Sequence, residues 1–260
     1  MAATSPTRPA RRPLLALLAG LATIVVGAVV VSCATTTDEA AAPVASTTTS
    51  RAPTTTRAPA TTTTVAFVPY TPGEPTRSGD AGAQVTLLQQ RLYDLGYFLP
   101  GVTGSYDADT TNAVMAFQKL HGLARDGVAG PDTITALATA TKVAPAHGTG
   151  AHLEVSLDRQ LLIVVDGAGG AVAVNATTGA AATATPPGSY GIFRQVNGWD
   201  PGPYGSLYRP KYFTGGIAFH GGVPVLASPA SHGCVRLPDR AVDWLWSSGL
   251  APIGASVLVT

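Results

Sequence analysis

The spacing of the apolar residues changes once along the chain, and this change most limits the folds it can adopt. Between residues 82 and 138 the apolar residues recur at helical spacing. One face of the first helix is outlined by Val85, Leu88, Leu92 and Leu95. From Leu153 onward the period is two, and an unbroken apolar run follows at 161–165. The sequence therefore predicts a multidomain protein, in which a small helical bundle precedes a mainly β domain.

The helical segment contains a short internal repeat. Gly104 leads into Asp109-Thr110, and Gly127 leads in the same way into Asp132-Thr133. Each unit has a glycine turn followed by an Asp-Thr pair that is typical of a helix start. Together with the first helix, which Gly96 is expected to end, the two units predict a three-helix bundle over residues 80–142. A linker is expected at 143–150.

The β domain is expected to extend over residues 151–260. Asp166-Gly167 predicts a hairpin turn after the apolar run, and further short strands are predicted near 190–194, 217–220 and 257–259. One short helix is expected from Pro238 to about Trp246, with Pro238 in its first turn. These elements predict a curved mixed sheet or sandwich with a single short helix.

The first 33 residues resemble a bacterial export signal. Arg8, Arg11 and Arg12 precede an uncharged run at 14–31, which predicts that the mature protein acts outside the cytoplasm. The run ends in Val-Val-Ser-Cys, which resembles a lipoprotein lipobox, so Cys33 is the expected lipidation site. A membrane-spanning anchor and simple secretion remain alternatives, since the run is long enough to cross a bilayer.

Residues 34–79 are rich in Thr, Ala and Pro and lack apolar periodicity. We expect a disordered tether here, because such a segment cannot bury a core. The net charge of the whole chain is +1, and only 12% of its residues are charged. This charge excludes an electrostatic interaction with nucleic acid as the main function. The oligomeric state is left open.

The residues that can carry chemistry are concentrated near the C-terminus. His220-Gly221-Gly222 precedes a second cluster, Ser231-His232-Gly233-Cys234-Val235-Arg236. A thiol becomes a strong nucleophile when an imidazole accepts its proton, and a glycine beside it allows backbone amides to reach an oxyanion. This pattern indicates acyl transfer through a thioester. We expect no metal at His220, His232 and Cys234, and no cofactor.

Residues 82–138 resemble the peptidoglycan-binding domain of the PGBD-1 type along their whole length. The resemblance is carried by Leu88-Gln89, Leu95-Gly96-Tyr97, Gly104, Thr110, Ala113-Val114, Phe117-Gln118, Gly122-Leu123, Asp126-Gly127 and Gly130-Pro131-Asp132-Thr133. Most of these are core or turn positions, so they indicate the fold more strongly than binding. The resemblance implies a partner in peptidoglycan glycan or stem peptide, with a passive spacer as the alternative.

The segment from 151 to 260 resembles the YkuD family of L,D-transpeptidases, whose signature is an HG pair followed by SHGC-x-R. Upstream landmarks are Leu157 to Leu161, Thr178-Gly179 and Thr185 to Tyr190. The resemblance implies that Cys234 is the nucleophile, that His220 is its base, and that the Gly221 carbonyl orients the imidazole. It also implies an oxyanion hole built from the amides of His232, Gly233 and Cys234.

Other residues near the site are expected to support it or to bind substrate. Ser231 is expected to support the loop, and Arg236 either binds a substrate carboxylate or pairs with Asp239 or Asp243. Gly222 departs from the Thr or Ser that many relatives have after HG. Aromatic residues in Gly- and Pro-rich stretches are expected either to line the cleft or to pack elsewhere, namely Trp199, Tyr190, Tyr204, Tyr208 and Tyr212. Gly222 and Tyr212 are expected among the substrate-binding or supporting residues.

The function implied by this family is peptidoglycan cross-linking in the cell envelope. Cys234 would attack a stem tetrapeptide, release D-alanine and pass the acyl group to an amine of a neighbouring stem, giving a 3→3 cross-link. One alternative is an L,D-carboxypeptidase, in which water replaces the amine. Another is a non-catalytic peptidoglycan-binding lipoprotein anchored in the membrane.

Overall fold

The structure is a computed structural model, and it describes residues 73–260. The predicted export signal, the lipidation site Cys33 and most of the predicted tether lie outside these residues. Within residues 73–260, no helix has the length and apolar character needed to cross a bilayer.

The predicted three-helix module is confirmed. Its helices are α1 (Ala83–Leu95), α2 (Ala108–His121) and α3 (Pro131–Thr139). Gly96 ends α1 in the left-handed conformation, as glycine can without steric cost. The start of α2 differs slightly from the prediction, because Asp107 caps the helix by accepting a hydrogen bond from the Thr110 amide, and Asp109 lies in the first turn.

The mainly β domain is also confirmed, and it contains two sheets. In the first sheet the strand order is β3-β2-β1-β10-β4, and β1 and β10 are its only parallel neighbours. Its strands are β1 (His152–Ser156), β2 (Leu161–Val165), β3 (Ala171–Asn175), β4 (Gly188–Gly191) and β10 (Ser256–Val259). The predicted hairpin closes here, since β2 and β3 pair antiparallel.

The second sheet has the order β5-β7-β8-β9, and β6 pairs with β7. Its strands are β5 (Arg194–Gln195), β6 (Trp199–Gly202), β7 (Gly205–Thr214), β8 (Ile217–Gly221) and β9 (Val235–Arg236). The β6–β7 hairpin is absent from the sequence prediction. Helix α4 (Asp239–Ser247) follows β9, and Pro238 is its N-cap residue rather than part of its first turn.

The helical module and the first sheet share one hydrophobic core. Leu161, Ile163 and Val165 on one face of β2 belong to the same buried cluster as the interior of the helical module. Leu162 and Val164 on the other face belong to a second cluster, which includes residues of α4 and of the second sheet. Because β2 is buried on both faces, its sequence is an unbroken apolar run rather than an alternating one.

Backbone hydrogen bonds also connect the two modules. The Ala173 amide of β3 donates to the Gly96 carbonyl, and the Phe98 amide donates to the Ala173 carbonyl, both at 2.9 Å. The chain that leaves α1 therefore covers the open edge of β3, which would otherwise expose unpaired backbone groups. The predicted linker is not a free spacer at its start, since Val143 is buried and its amide donates to the Leu95 carbonyl at 2.7 Å.

Candidate active site

The predicted nucleophile and base lie on neighbouring strands. Strands β8 and β9 are parallel, with His220 paired to Arg236 and Phe219 paired to Val235. Cys234 immediately precedes β9, and side chains alternate between the faces of a sheet. Cys234, Arg236 and His220 are therefore placed on one face of the sheet, while Val235 and Phe219 point into the core on the other.

The imidazole of His220 is held in a defined tautomer. His220 is buried, and its Nδ1 lies 2.7 Å from the Gly221 carbonyl oxygen. A carbonyl can only accept, so Nδ1 carries the proton and the Nε2 of the neutral ring is left as an acceptor. Burial lowers the pKa of His220, the bond to Gly221 raises it, and the charge of Arg236 lowers it further.

The thiol of Cys234 is partly exposed to solvent. Its Sγ donates to the Gly216 carbonyl at 3.8 Å, which is a weak contact that a reacting group can replace. Burial raises the pKa of the Cys234 thiol, whereas a hydrogen bond from the Ala218 backbone and the charge of Arg236 lower it. In the resting site, burial therefore favours the neutral thiol and the neutral imidazole over the ion pair.

Arg236 lies on the same face as the predicted nucleophile and base, and it is not engaged by the acids that the sequence suggested. Asp243 Oδ1 instead bonds to Arg209 Nη1 at 2.5 Å and accepts from the Tyr208 hydroxyl at 3.0 Å. Asp239 Oδ1 accepts from the Gly222 amide at 2.6 Å. Among residues 73–260, the ion pairs do not include Arg236.

The loop before Cys234 is fixed by side-chain hydrogen bonds. Ser231 is buried, and its Oγ donates to the Cys234 carbonyl at 2.6 Å and accepts from the Gly233 amide at 3.1 Å. Thr185 Oγ1 donates to the Gly233 carbonyl at 2.7 Å. The Gly233 amide is thus already bonded, which leaves the amides of His232 and Cys234 as the remaining candidates among the three oxyanion donors.

The β6–β7 hairpin brings predicted cleft residues to the site. Tyr204, at the tip of the hairpin, stacks on the His232 ring at a centroid distance of 4.2 Å and an interplanar angle of 3°. Trp199, at the start of β6, packs on Tyr208 with ring centroids 5.2 Å apart. Both Trp199 and Tyr204 are mostly exposed, so the hairpin presents an aromatic wall beside the loop that carries Cys234.

Tyr212 and Tyr190 are buried or half-buried supports in this structure. The Tyr212 hydroxyl donates to Asp200 Oδ2 at 2.7 Å, and Arg194 pairs with the same oxygen at 2.8 Å. These contacts connect β6 with both β5 and β7. The Tyr190 hydroxyl donates to the carbonyl of Pro186 at 3.1 Å. Both hydroxyl groups are therefore engaged by the protein itself, which favours a supporting role over a cleft-lining one.

Sequence reasoning missed two supporting residues, although signals for both were present. Thr185 belongs to the Thr185-Pro186-Pro187-Gly188 landmark, but the pattern does not show that it bonds to the loop before Cys234. For Asp239 the sequence suggests only a pairing with Arg236. In the structure Asp239 fixes the Gly222 amide and also raises the pKa of His220. No group of three or more potential metal ligands forms among residues 73–260.

The glycine at position 222 is explained by its neighbours. Gly222 has a φ of +86°, and a Cβ atom there would lie 2.6 Å from a ring carbon of Trp199. We expect Gly222→Thr to displace Trp199 and to destabilise the protein by about 1–3 kcal/mol, because a branched side chain adds strain in this conformation. Urea unfolding measures the stability, and tryptophan fluorescence measures the displacement.

Gly254→Thr is the matched control for this substitution. Gly254 has a φ of +89° but open space where its Cβ would be. It therefore has the backbone strain without the contact with Trp199. Equal losses of stability and unchanged fluorescence in both variants would contradict the explanation.

Both domains of the chain match the models of known protein families. Residues 81–137 match the family model of a peptidoglycan binding domain, and residues 150–259 match the YkuD model, described as an L,D-transpeptidase catalytic domain. A crystal structure of an L,D-transpeptidase from Xylanimonas cellulosilytica is 39% identical and has a TM-score of 0.69. The match covers 72% of this chain and 98% of that one.

Curated relatives match over shorter segments. An N-acetylmuramoyl-L-alanine amidase from Bacillus licheniformis, CwlL, is 47% identical over 68 residues, which is 25% of this chain and 19% of the relative. Another, CwlM from Mycobacterium tuberculosis, is 45% identical over 56 residues, 22% of this chain and 14% of the relative. The chain thus matches less than a fifth of the length of either amidase.

Proposed function

Because the chain belongs to the YkuD family of L,D-transpeptidases, we propose that it cross-links peptidoglycan through a thioester on Cys234. The observation that carries the proposal is the placement of the two groups on one face of the parallel strands β8 and β9. His220 has its Nδ1 occupied by Gly221, and Cys234 is partly open to solvent. This arrangement supports the assignment of Cys234 as the nucleophile and His220 as its general base.

In the first step, the thiol proton passes to Nε2 of His220 as sulfur attacks the carbonyl of the third residue in a stem tetrapeptide. A C–S bond forms, the C–N bond to the terminal D-alanine breaks, and the proton leaves with the amine of D-alanine. In the second step, an amine of a neighbouring stem attacks the thioester and restores the thiol. One amide replaces another, so no energy source is needed.

Charge that develops during attack would be stabilised by the local backbone and by Arg236. The amides of His232 and Cys234 are candidates for the oxyanion, since preformed donors are effective in a partly buried site. Arg236 lowers the pKa of Cys234 and so stabilises the thiolate. We propose this electrostatic role for Arg236, with binding of a substrate carboxylate as a further role of the same free guanidinium.

The pH dependence of thiol alkylation tests the resting state of this pair. Burial raises the pKa of Cys234 and lowers that of His220, so the neutral forms should predominate at neutral pH. We expect the alkylation rate of Cys234 with iodoacetamide to rise steadily with pH from neutral to alkaline, because the thiolate is the reactive form and its raised pKa keeps it scarce at neutral pH. Mass spectrometry of the peptide that contains Cys234 measures the rate.

Removal of the Arg236 charge should shift the pH dependence of Cys234 alkylation to higher pH. Arg236→Met is expected to raise the apparent pKa of the thiol, because the positive charge that lowers it is lost. Arg240→Met is the matched control, since Arg240 is exposed and pairs with Asp109 at 3.3 Å. A rate that stays constant from pH 6 upward would instead indicate a stable thiolate in the resting enzyme.

The experiment that tests the function is incubation of the purified protein with a disaccharide tetrapeptide. We expect intact mass spectrometry to show a covalent adduct on Cys234 and product analysis to show released D-alanine and 3→3 linked dimers. Release of D-alanine with tripeptide as the only other product would support the L,D-carboxypeptidase alternative. Absence of both adduct and release would favour a non-catalytic wall-binding protein.

We also propose that the helical module binds peptidoglycan and that Cys33 is lipidated, placing the enzyme at the outer face of the membrane. The first point is supported by the peptidoglycan binding domain matched at residues 81–137. The second depends on the lipobox-like sequence before Cys33, which lies outside the described residues. The intact mass of the mature N-terminus distinguishes a lipidated cysteine from an uncleaved anchor.

A further inference from the structure

A lysine of the helical module extends into the β domain. Lys119 lies near the end of α2, and only 1% of its surface is exposed. Its Nζ donates to Asn175 Oδ1 at 2.6 Å and to the Ala176, Leu226 and Gln160 carbonyls at 2.8, 3.1 and 3.2 Å. All four oxygens belong to the β domain, so one ammonium group holds three of its segments together.

Burial of the Lys119 ammonium group costs free energy, so a purely space-filling role does not explain a lysine at this position. Burial, together with the smaller effect of the Arg125 charge, lowers the pKa of Lys119 to about 7. The ion pairs found between residues 73 and 260 do not include Lys119, so its charge is met by dipoles alone. An apolar side chain of similar size would avoid the desolvation cost, but it could not hold the oxygens.

One of those oxygens lies in the loop that joins the two catalytic motifs. Loop 222–230 begins after His220-Gly221 and ends just before Ser231, which lies three residues before Cys234. At its far end, the Ala230 and Ser231 amides both donate to the Thr178 carbonyl at 3.0 Å. Its middle is held at Leu226, whose carbonyl is the one that Lys119 contacts.

The same point of the loop is connected to the strand of the nucleophile through Thr177. The Leu226 amide donates to Thr177 Oγ1 at 2.6 Å, and this hydroxyl donates to the Leu226 carbonyl at 2.9 Å. The backbone of Thr177 pairs with Arg236 by two hydrogen bonds of 3.0 and 2.8 Å. Lys119 also binds the Ala176 carbonyl, directly before Thr177.

We propose that Lys119 is a positioning residue through which the helical module fixes loop 222–230, and with it the relative placement of His220 and Cys234. Arg125 assists from the same module, since its Nη1 donates to the Ala227 carbonyl at 3.2 Å. The effect on turnover rests on the proposed transpeptidase function, whereas the effect on the loop does not. The helical module is then part of the catalytic apparatus as well as a wall-binding unit.

The test compares Lys119→Met with Lys211→Met in the full-length protein. Lys211 is the matched control, because it is a second buried lysine whose Nζ donates to the Ala251 carbonyl at 3.0 Å and lies over the Trp246 ring. It has no hydrogen bond to loop 222–230. Both substitutions remove a buried ammonium group. A difference between the two variants therefore reports on the loop rather than on a general loss of stability.

We expect Lys119→Met to lower the kcat for D-alanine release by about 10- to 100-fold, with KM changed much less, because small misplacements of reacting groups are that costly. Hydrogen exchange at the Leu226, Ala230 and Ser231 amides should become faster. Lys211→Met should leave kcat within about threefold of the wild type and exchange in the loop unchanged.

A second variant keeps the proposal testable if Lys119→Met does not fold. Arg125→Ala removes a partly exposed side chain, and it should accelerate exchange around Ala227 and lower kcat by a smaller factor. Unchanged exchange in the loop, or equal losses of kcat in Lys119→Met and Lys211→Met, would overturn the proposal. Wild-type protein that releases no D-alanine would contradict the proposed function, and the exchange data would then decide the positioning role alone.

Discussion

Cys234→Ala is expected to abolish D-alanine release and adduct formation, with a loss of at least about 10³-fold, since removal of a nucleophile is the most severe change in a covalent mechanism. Ser231 cannot replace the thiol. It is buried, and its hydroxyl is engaged by the Cys234 carbonyl and the Gly233 amide. The measurement is the rate of D-alanine release together with intact mass after exposure to disaccharide tetrapeptide or a carbapenem.

The control for this substitution is retention on the cell wall. Cys234 immediately precedes β9 in the β domain, whereas residues 81–137 match the peptidoglycan binding domain. Cys234→Ala should therefore sediment with isolated peptidoglycan as the wild type does. Cys33 is the other cysteine of the chain, so adducts must be assigned to a peptide rather than counted. Undiminished turnover in the variant would contradict a thioester mechanism.

The elements that the sequence predicted well are those with a strong apolar period. The spacing of Val85, Leu88, Leu92 and Leu95 indicated α1, and all four side chains are buried. The run 161–165 and the Asp166-Gly167 turn indicated the β2–β3 hairpin. In these segments burial on one or both faces dictates residue type. The element can therefore be predicted without knowing which other element packs against it.

The β6–β7 hairpin could not be predicted in this way. The segment from Gly198 to Gly205, which includes β6 and the turn, has three glycines and two prolines and no alternation of apolar and polar residues. The residues of β6 and of the first part of β7 are exposed or half-buried, so burial imposes no period on them. The sequence shows the aromatic residues but not their contacts. The stacking of Tyr204 on His232 and the hydrogen bond from Tyr212 to Asp200 both depend on the tertiary fold.

The contact between the modules was also missed, for two different reasons. A lysine in a helix normally indicates a solvated face, and nothing local distinguishes Lys119 from an exposed lysine. A second signal is present in the sequence of β2. An unbroken apolar run at 161–165 implies that both faces of β2 are covered, and the β domain alone supplies only one layer. The helical module supplies the other.

Deletion of the helical module, leaving residues 143–260, is therefore expected to unfold the β domain or to lower its Tm by more than about 10 °C. The deletion would expose Leu161, Ile163 and Val165. At about 1.5–3 kcal/mol for each buried side chain, the loss approaches the 5–15 kcal/mol of a typical domain. It would also leave the edge of β3 unpaired and prone to aggregation.

Circular dichroism and thermal unfolding of the fragment measure this effect against the full chain. A fragment in which Leu161, Ile163 and Val165 are all replaced by Thr is the control, because it removes the exposed apolar face and keeps β-branched residues that favour a strand. If exposure is the cause, the triple variant should be more soluble than the parent fragment. A parent fragment with an unchanged Tm would show that the β domain is stable alone, and that the shared core adds little to its folding.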